Sequence, residues 1–448
     1  MWVPTTDLPT AASHPFYRRL NQLLREHGFD DFVERQCASF YAETMGRPSL
    51  PPAIYFRLLL IGYFEGIDSE RGIAWRAADS LALRDFLGLA LADAPPDHST
   101  ISRTRRLIAV ETHRAVFTWV LQCLGTVGLV KGKTIGLDAT TLEANAAMRS
   151  IVRRDSGEGY GEFLTRLAKE SGIGTPTRAD LARLDRKRKK KTSNKDWTHP
   201  HDPDAKITKM KDGRTHLAHK AEHAIDLETG AIVGITVQDA DDGDTTTMQQ
   251  TLPEAVEQLD AVAAVTDEPI AVVGEVVADK GYHSRTVVHD LETLGIRTYI
   301  SEPDRGPQSW TDQEAERDAV YANRRRIRGA RGRRLLRRRG ELLERPFAHL
   351  YETGGLRRAH VRGHDNVLKR VLLHASAFNL GLWMRQLFGI GTPRSLQGRA
   401  AVLRAIVRPL WSLASELIAL RCPQPATGDQ SSCLEPFRLP GTQAISCG

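Results

Sequence analysis

Two short β-branched segments of the sequence each deliver an aspartate. Residues 134–141 predict a buried strand with Asp138 at its exit, and residues 272–282 predict a strand that ends at Asp279. Two adjacent strands of this kind, with a third acid such as Glu344 from a later helix, can hold two divalent metals roughly 3.5–4 Å apart. Hard Mg²⁺ takes oxygen ligands and keeps waters for substrate phosphates. The alternative for each aspartate is the capping of a turn. Lys280 and Arg345 stand beside these acids, where they would bind a phosphate or offset like-charge repulsion.

The charge of the chain indicates a partner for such a site. Lysine and arginine number 62 against 55 aspartates and glutamates, which gives a net charge of +7 and a pI of about 9.2. The basic residues are clustered, since arginine fills ten of the sixteen positions from Arg324 to Arg339. Arginine pairs with phosphates bidentately, and such a surface binds nucleic acid in a salt-dependent way. The alternative is a solvated helix face. The residues predicted to contact nucleic acid are Arg333, Arg334, Arg337 and Arg338.

Two other basic segments are candidates for the same contact. Residues 183–191 include Arg188, Lys189 and Lys190, and they predict a flexible arm that orders on binding or simply a solvated loop. Residues 97–107 predict a helix with a serine N-cap, on which Arg103 and Arg105 face either DNA or solvent.

The order of elements predicts an α/β fold with a preceding helical region. Helical periodicity changes to strand periodicity near residue 130, which predicts an all-α N-terminal domain over 1–130 and a second domain over 131–390. The roles expected for them, DNA binding for the first and catalysis for the second, are what the family resemblance described below implies. Within the second domain, residues 145–212 predict a basic insertion or flexible region. A strand, a hairpin, a helix, a strand, a helix and a strand then predict a ribonuclease H-like mixed sheet flanked by helices. Residues 391–448 predict a helix and a disordered tail.

The cysteines and the apolar runs indicate the compartment. Five cysteines are scattered without a CxxC pair, which favours a reducing compartment over a disulfide or zinc framework. The longest apolar run, residues 54–64, is too short for a membrane span and contains Arg57. We therefore expect a soluble intracellular protein with no membrane partner.

Several ordered motifs resemble the bacterial insertion-sequence transposases of the DDE class, in the IS4/IS5 and IS1182-like grouping. In the N-terminal part these are residues 47–52 and 97–103. In the catalytic part they are Gly136-Leu137-Asp138-Ala139-Thr140, the hairpin 219–230, Ala278-Asp279-Lys280-Gly281-Tyr282 and residues 344–350. The resemblance spans roughly residues 15 to 390, and the Asp-Lys-Gly-Tyr element is its most specific motif.

The resemblance implies a DDE triad of Asp138, Asp279 and Glu344 that binds Mg²⁺ or Mn²⁺. It also implies contact with DNA by Lys280, Tyr282 and Arg345. The expected activity is recognition of terminal inverted repeats, hydrolytic nicking and strand transfer into target DNA. The expected state is a homodimer in the synaptic complex, in the bacterial cytoplasm at the nucleoid.

The third acid departs from the family pattern. That pattern places an arginine four residues before the glutamate and a lysine seven after it, whereas this chain has Gly340 and Tyr351 there. Arg339 and Arg357 are candidates to compensate. Glu341 and Glu352 are rivals of Glu344, although Glu341 would face a different side of the helix.

Three other functions are compatible with the same residues. A metal-dependent nuclease of the same fold would cleave DNA without strand transfer. A catalytically degenerate DNA-binding repressor would bind without Mg²⁺-dependent cleavage. An RNA-binding protein is the fourth reading, although the sequence has no aromatic platform motif for single strands.

Overall fold

The computed structural model describes residues 14–42, 49–188, 192–210, 212–267, 269–306 and 308–396. The N-terminal part is helical, as the periodicity predicts. Gly28, with φ of +66°, separates the first two helices. The helices are α1 (Pro15–Glu26), α2 (Phe29–Cys37), α3 (Pro52–Glu65), α4 (Glu70–Asp79), α5 (Leu81–Leu87), α6 (His98–Leu107) and α7 (Val110–Thr126).

The part of the chain that follows α7 is a mixed sheet with helices. The strands are β1 (Thr134–Glu143), β2 (Val152–Arg153), β3 (Trp197–Thr198), β4 (Lys206–Lys209), β5 (Thr215–Asp226), β6 (Ile232–Asp239), β7 (Glu275–Ala278) and β8 (Arg297–Ile300). The helices are α8 (Tyr160–Glu170), α9 (Arg178–Lys187), α10 (Asp244–Ala263), α11 (Arg285–Thr293), α12 (Glu314–Arg328), α13 (Ala330–Phe347) and α14 (His364–Phe388).

The main sheet has the order β4-β5-β1-β7-β8, and β6 pairs with β5. The predicted hairpin is confirmed as β5 and β6, which pair in antiparallel fashion. On its other edge β5 runs antiparallel to β1, whereas β1, β7 and β8 are parallel to one another. The sheet therefore places the carboxyl ends of three parallel strands beside a long hairpin.

Helices cover both faces of this sheet. Gly234 of β6 lies against Ala255 of α10, and Gly136 of β1 lies against Leu343 of α13. Gly234 pairs with Ala224, whereas Gly136 pairs with the next residue of β5, Ile225. Because successive residues of a strand point to opposite faces, α10 and α13 cover opposite sides of the sheet.

Residues 145–212 are more ordered than the sequence indicates. The segment contains α8, α9 and the short β2–β3 pair. Ile151, Phe163, Leu164 and Trp197 form a small apolar core of their own together with the end of β5. The irregular composition misled the prediction because these elements are short and enclose only a few large side chains.

The apolar core does not divide at the change from helices to sheet. The largest cluster of buried residues extends from Phe16 in α1 through the sheet to Trp383 in α14. The rings of His27 and Trp383 lie 4.8 Å apart, and those of Tyr63 and His374 lie 5.4 Å apart. The N-terminal helices therefore pack against α14. The predicted helix near 400–420 and the predicted tail lie outside the described residues.

Within the described ranges, no helix combines the length and the apolar character that are needed to cross a membrane.

Candidate active site

The register of β1 and β7 brings Asp138 and Asp279 to neighbouring positions. The parallel pairs are Thr134 with Glu275, Ile135 with Val276 and Gly136 with Val277. Asp138 and Asp279 each follow the last of these pairs by two residues. Paired residues of parallel strands point to the same face, so the two carboxylates emerge side by side where β7 ends.

Asp138 lies within its strand and not at its exit, which corrects the prediction. Antiparallel pairing with β5 keeps β1 extended as far as Glu143. The Asp138 carboxylate is half-buried, and Oδ1 lies 3.1 Å from Nη2 of Arg339 on α13. Arg339 also donates from Nε to the Leu137 carbonyl oxygen at 3.0 Å. A fixed cation thus lies against the first predicted acid.

Asp279 begins a single 3₁₀ turn, Lys280–Tyr282, directly after β7. Its Oδ1 accepts a hydrogen bond of 2.8 Å from the Gly281 amide, so the carboxylate caps the turn. Asp279 therefore does cap a turn, as the alternative interpretation of this aspartate predicted. The cap uses only Oδ1, so Oδ2 can still serve as a metal ligand. Lys280 is exposed beside it, as a phosphate-binding residue must be.

Tyr282 is buried, which corrects the expectation that it contacts DNA. Its side chain is only 1 % exposed, and its hydroxyl donates to Oε1 of Glu222 at 2.5 Å. Burial raises the pKa of Tyr282, as do the nearby Glu222, Asp244 and Asp138 carboxylates. Tyr282 is therefore a neutral hydrogen-bond donor inside the fold.

Glu344 lies on α13 near the face that meets β1. Leu343 is buried against Gly136, and the Phe347 ring lies 5.0 Å from the ring of His223, the residue opposite Asp138 on β5. At 3.6 residues per turn, Glu344 projects about 100° from Leu343 and about 60° from Phe347. Glu341 projects about 160° from Leu343, almost directly away from the sheet. Both glutamates are exposed, and the helix direction favours Glu344.

The three predicted acids are not already gathered around one point. Among the described residues, no group of three or more histidine, cysteine, aspartate or glutamate side chains is arranged to hold a metal ion. Asp138 and Asp279 are neighbours through the register of β1 and β7. Glu344 lies on α13, a helix that packs on the face of the sheet to which Asp138 points.

Asp244 is an acid beside Asp279 that was not among the residues predicted from the sequence. It begins α10, and a Cβ placed on Gly281 would collide with its Oδ2 and lie 3.1 Å from Asp279 Oδ1. The two carboxylates are therefore neighbours. Lys220 of β5 donates to Asp244 Oδ1 at 2.5 Å, which offsets part of the negative charge. Lys220 and Asp244 are 24 residues apart in the sequence, so no local pattern could predict that they form a pair.

The arginine-rich segment divides into two sets. Four arginines bind acids of the fold: Arg324 binds Glu302, Arg326 binds Glu292, Arg331 binds Glu275 and Arg339 binds Asp138. The Arg331 pair lowers the pKa of Glu275 against the opposing effect of burial. Arg331 stays exposed although it is paired, and the other exposed arginines are Arg325, Arg328, Arg333, Arg334, Arg337 and Arg338.

The exposed arginines near the start of β1 line a basic groove. Arg334 and Arg338 of α13 lie there with Arg331 and with Lys133, which precedes β1. Arg338 donates to the Glu228 carbonyl oxygen at 2.8 Å. The groove has the charge and the exposure that a phosphate backbone requires, and it contains Arg334 and Arg338 of the four residues predicted to contact nucleic acid.

The other predicted basic contacts have different outcomes. Arg103 is exposed on α6, and Arg345 is exposed on α13. The side chain that caps α6 is that of Asp97, which corrects the predicted serine N-cap. Arg105 is mostly buried, with Nε 2.7 Å from Glu70 and Nη1 2.7 Å from Asn366 of α14. It therefore joins α6 to α14, which corrects its assignment to DNA.

The Arg188 side chain also contacts other residues of the fold. Its side chain is 13 % exposed, pairs with Asp185 at 2.9 Å and lies 5.4 Å from the centre of the Phe163 ring. These contacts correct its assignment to a flexible arm. Lys189 and Lys190 lie outside the described residues.

Two segments of the chain match known families. Residues 7–107 match the family described as Transposase domain (DUF772), and residues 193–380 match the family described as Transposase DDE domain. The second match contains Asp279 and Glu344, whereas Asp138 lies in the stretch that neither match covers. No curated protein and no solved structure matches the chain.

The fold and the matches define an enzyme that acts on DNA as a polynucleotidyl transferase or nuclease. Enzymes with this domain generally use divalent metal ions. The chain belongs to the insertion-sequence DDE transposases, with the two-part architecture of the IS1182-like group.

Proposed function

We propose that Asp138, Asp279 and Glu344 are the DDE triad of this transposase. The parallel register of β1 and β7 is the observation that carries this proposal, because it sets two remote aspartates side by side. The placement of Leu343 and Phe347 supports Glu344 over Glu341 as the third acid. We further propose that the mixed sheet is ribonuclease H-like, which the antiparallel hairpin beside three parallel strands supports.

The donor set fits Mg²⁺, with Mn²⁺ able to substitute. All three side chains offer hard oxygen ligands, which Mg²⁺ prefers. The bound metal would activate the attacking oxygen and neutralise charge on the leaving oxygen of the phosphodiester. Lys280, exposed beside Asp279, and Arg345, beside Glu344, would orient the scissile phosphate by charge-assisted hydrogen bonds.

We propose that the substrate is the terminal inverted repeat of the element, followed by target DNA, and that two protomers synapse two ends. The exposed Arg333, Arg334, Arg337 and Arg338 would hold the phosphate backbone near the start of β1, about 13 Å along the strand from the acids. Arg103 on α6 would contribute a second, N-terminal contact, as the exposure of its side chain allows.

The triad is tested by Mg²⁺-dependent cleavage of duplexes that carry the terminal inverted repeats. We expect Asp138→Ala, Asp279→Ala and Glu344→Ala each to lower the cleavage rate by about 10²–10³-fold or more, since each removes a group that stabilises charge in the transition state. Glu341→Ala is the matched control, because it removes an acid three residues away on the same helix. An inactive Glu341→Ala beside an active Glu344→Ala would show that the third acid is misassigned.

Joining of the cleaved ends to a target plasmid separates the transposase from its alternatives. A nuclease of the same fold would cleave the repeats without joining them. A degenerate repressor would bind the repeats without Mg²⁺-dependent cleavage. The Asp138→Ala substitution would leave its DNA binding unchanged.

A further inference from the structure

The buried carboxylate of Glu222 lies behind the candidate metal site and is not one of the three predicted metal ligands. Glu222 of β5 is fully buried, with 0 % of its surface exposed. It pairs across the sheet with Ala139, the residue after Asp138. Because His223 faces the same side as Asp138, Glu222 faces the opposite side, towards α10. Glu222 is therefore close to the predicted acids along the backbone but is directed away from them.

Three hydroxyl groups from two other elements converge on this carboxylate. Tyr282 donates to Oε1 at 2.5 Å, Thr247 donates to Oε1 at 2.9 Å, and Thr251 donates to Oε2. Thr247 and Thr251 belong to the first turns of α10, and both are buried. Tyr282 closes the 3₁₀ turn that Asp279 caps. One carboxylate thus joins β5, α10 and the turn that follows β7.

The Tyr282 bond is well placed to fix the position of Asp279. β7 ends at Ala278, so the pairing of the strand no longer holds Asp279 and the turn after it. Residues 280–282 make only a single 3₁₀ turn, which is a weak constraint on its own. A hydrogen bond to a buried charged group is stronger than a neutral one, and it acts three residues from Asp279.

From this geometry we infer that Glu222 is a positioning residue, which holds Asp279 beside Asp138 through the Tyr282 hydroxyl. The inference rests on the proposed metal-binding role of Asp279. Glu222 points to the face opposite Asp138 and acts through Tyr282, so it does not touch the metal or the DNA. Groups that orient metal ligands in this way typically change metal affinity by about 10- to 100-fold when they are removed.

Tyr299 provides a matched control for Tyr282. Tyr299 lies on β8, and its hydroxyl donates to Glu275 of β7 at 3.2 Å. Both residues are buried, so this pair has the same chemistry as the Tyr282–Glu222 pair. Glu275 stands at the start of β7, four residues before Asp279 and about 13 Å away along the strand. Tyr299→Phe therefore removes the same chemical group at the far end of the strand.

The test measures Mn²⁺ binding to the full chain without DNA, by electron paramagnetic resonance of the free ion, and records the melting temperature of each variant. We expect Tyr282→Phe to raise the Mn²⁺ dissociation constant about 10-fold. Cleavage by this variant should recover at high Mg²⁺ concentration. Glu222→Gln should act in the same direction, and Tyr299→Phe should leave the dissociation constant unchanged even if it lowers the melting temperature.

Asp279→Ala separates failure of this inference from failure of the proposed triad. If Asp279→Ala loses Mn²⁺ binding while Tyr282→Phe binds as the wild type does, the positioning role of Glu222 is wrong and the triad stands. An equal loss of affinity in Tyr282→Phe and Tyr299→Phe would also overturn the positioning role, since it would indicate general loosening of the strand. Wild-type binding and cleavage by Asp279→Ala would instead reject the triad.

Discussion

Arg339 is the residue whose placement most directly affects the candidate site. Asp138 neighbours Asp279 through the register of β1 and β7, and Asp244 neighbours Asp279 at the turn after β7, so that these like charges repel one another. Arg339 lies against Asp138 at 3.1 Å, and Lys220 lies against Asp244 at 2.5 Å. Each cation offsets part of this repulsion. A bound divalent ion would compete with Arg339 for the Asp138 carboxylate.

Arg339→Ala should make the stability of the protein more dependent on metal. Loss of the ion pair is expected to lower the free energy of unfolding by about 1–3 kcal/mol, because a half-buried carboxylate loses a charged partner. Added Mg²⁺ should then raise the melting temperature more in the variant than in the wild type, since binding to the folded state stabilises it. The measurement is thermal unfolding with and without Mg²⁺.

Arg337→Ala, an exposed change on the same helix, is the control for this experiment and should respond to Mg²⁺ as the wild type does. Equal Mg²⁺-induced shifts in Arg339→Ala and in the wild type would contradict competition between Arg339 and the metal.

At the scale of elements, α12 and α13 combine a structural and a surface role. Their paired arginines, among them Arg324 and Arg331, fix the two helices to acids of the sheet and its loops. Their exposed arginines remain on the outer face. A helix pair held in this way can present a rigid basic surface to a duplex, in contrast to a flexible arm that must order on binding.

The double variant Arg334→Ala/Arg338→Ala should weaken DNA binding and reduce its salt dependence. Each phosphate contact contributes about 0.9 to the slope of log K against log salt concentration, so the loss of two contacts should lower the slope by about 2. Fluorescence anisotropy of a terminal-repeat duplex over a range of KCl concentrations measures this slope. Arg317→Ala, at an exposed position of α12 that pairs with Asp318, should leave it unchanged. An unchanged slope in the double variant would remove the groove from the DNA interface.

At the scale of the whole molecule, a continuous core encloses polar groups that make stability depend on pH. His113 of α7 lies between the Tyr55 hydroxyl and the Ala109 carbonyl oxygen, at 3.0 and 2.9 Å. Burial lowers the pKa of His113 to about 3, and burial likewise lowers the pKa of His223 to about 3. The ordinary histidine pKa is 6.5.

The protein should therefore lose stability as the pH falls below 6.5 towards about 3. In this window the unfolded chain binds protons that the buried, neutral rings do not, so acid favours unfolding by about 1.4 kcal/mol per pH unit for each histidine. His113→Gln should lose about 2 kcal/mol less than the wild type between pH 6.5 and about pH 5. Urea denaturation at the two pH values checks this, and an identical loss in both proteins would contradict it.

The sequence by itself determined the parts that depend on local pattern. Alternation and turn residues predicted the hairpin of β5 and β6, because side chains of a half-buried strand alternate between two faces. Runs of β-branched residues predicted the strand that carries Asp138 and the strand that ends just before Asp279. The predicted order also placed one helix between the hairpin and the strand before Asp279 and another helix after that strand, which are α10 and α11. The density of arginine from Arg324 to Arg339 predicted a basic surface, which the exposed members provide.

Only the tertiary structure decided which charged groups are exposed and which are paired. Arg105, Arg188 and Arg339 have the same side chain as Arg334, yet contacts with residues remote in the sequence hold the first three inside the fold. These contacts are with Asn366, Phe163 and Asp138 respectively. Tyr282 belongs to the most specific motif, but Glu222 and α10 bury it. Pairings of this kind join residues tens or hundreds of positions apart, and one chain's local periodicity carries no information about them. Strand register and helix packing supply that information, because they bring the remote side chains into contact.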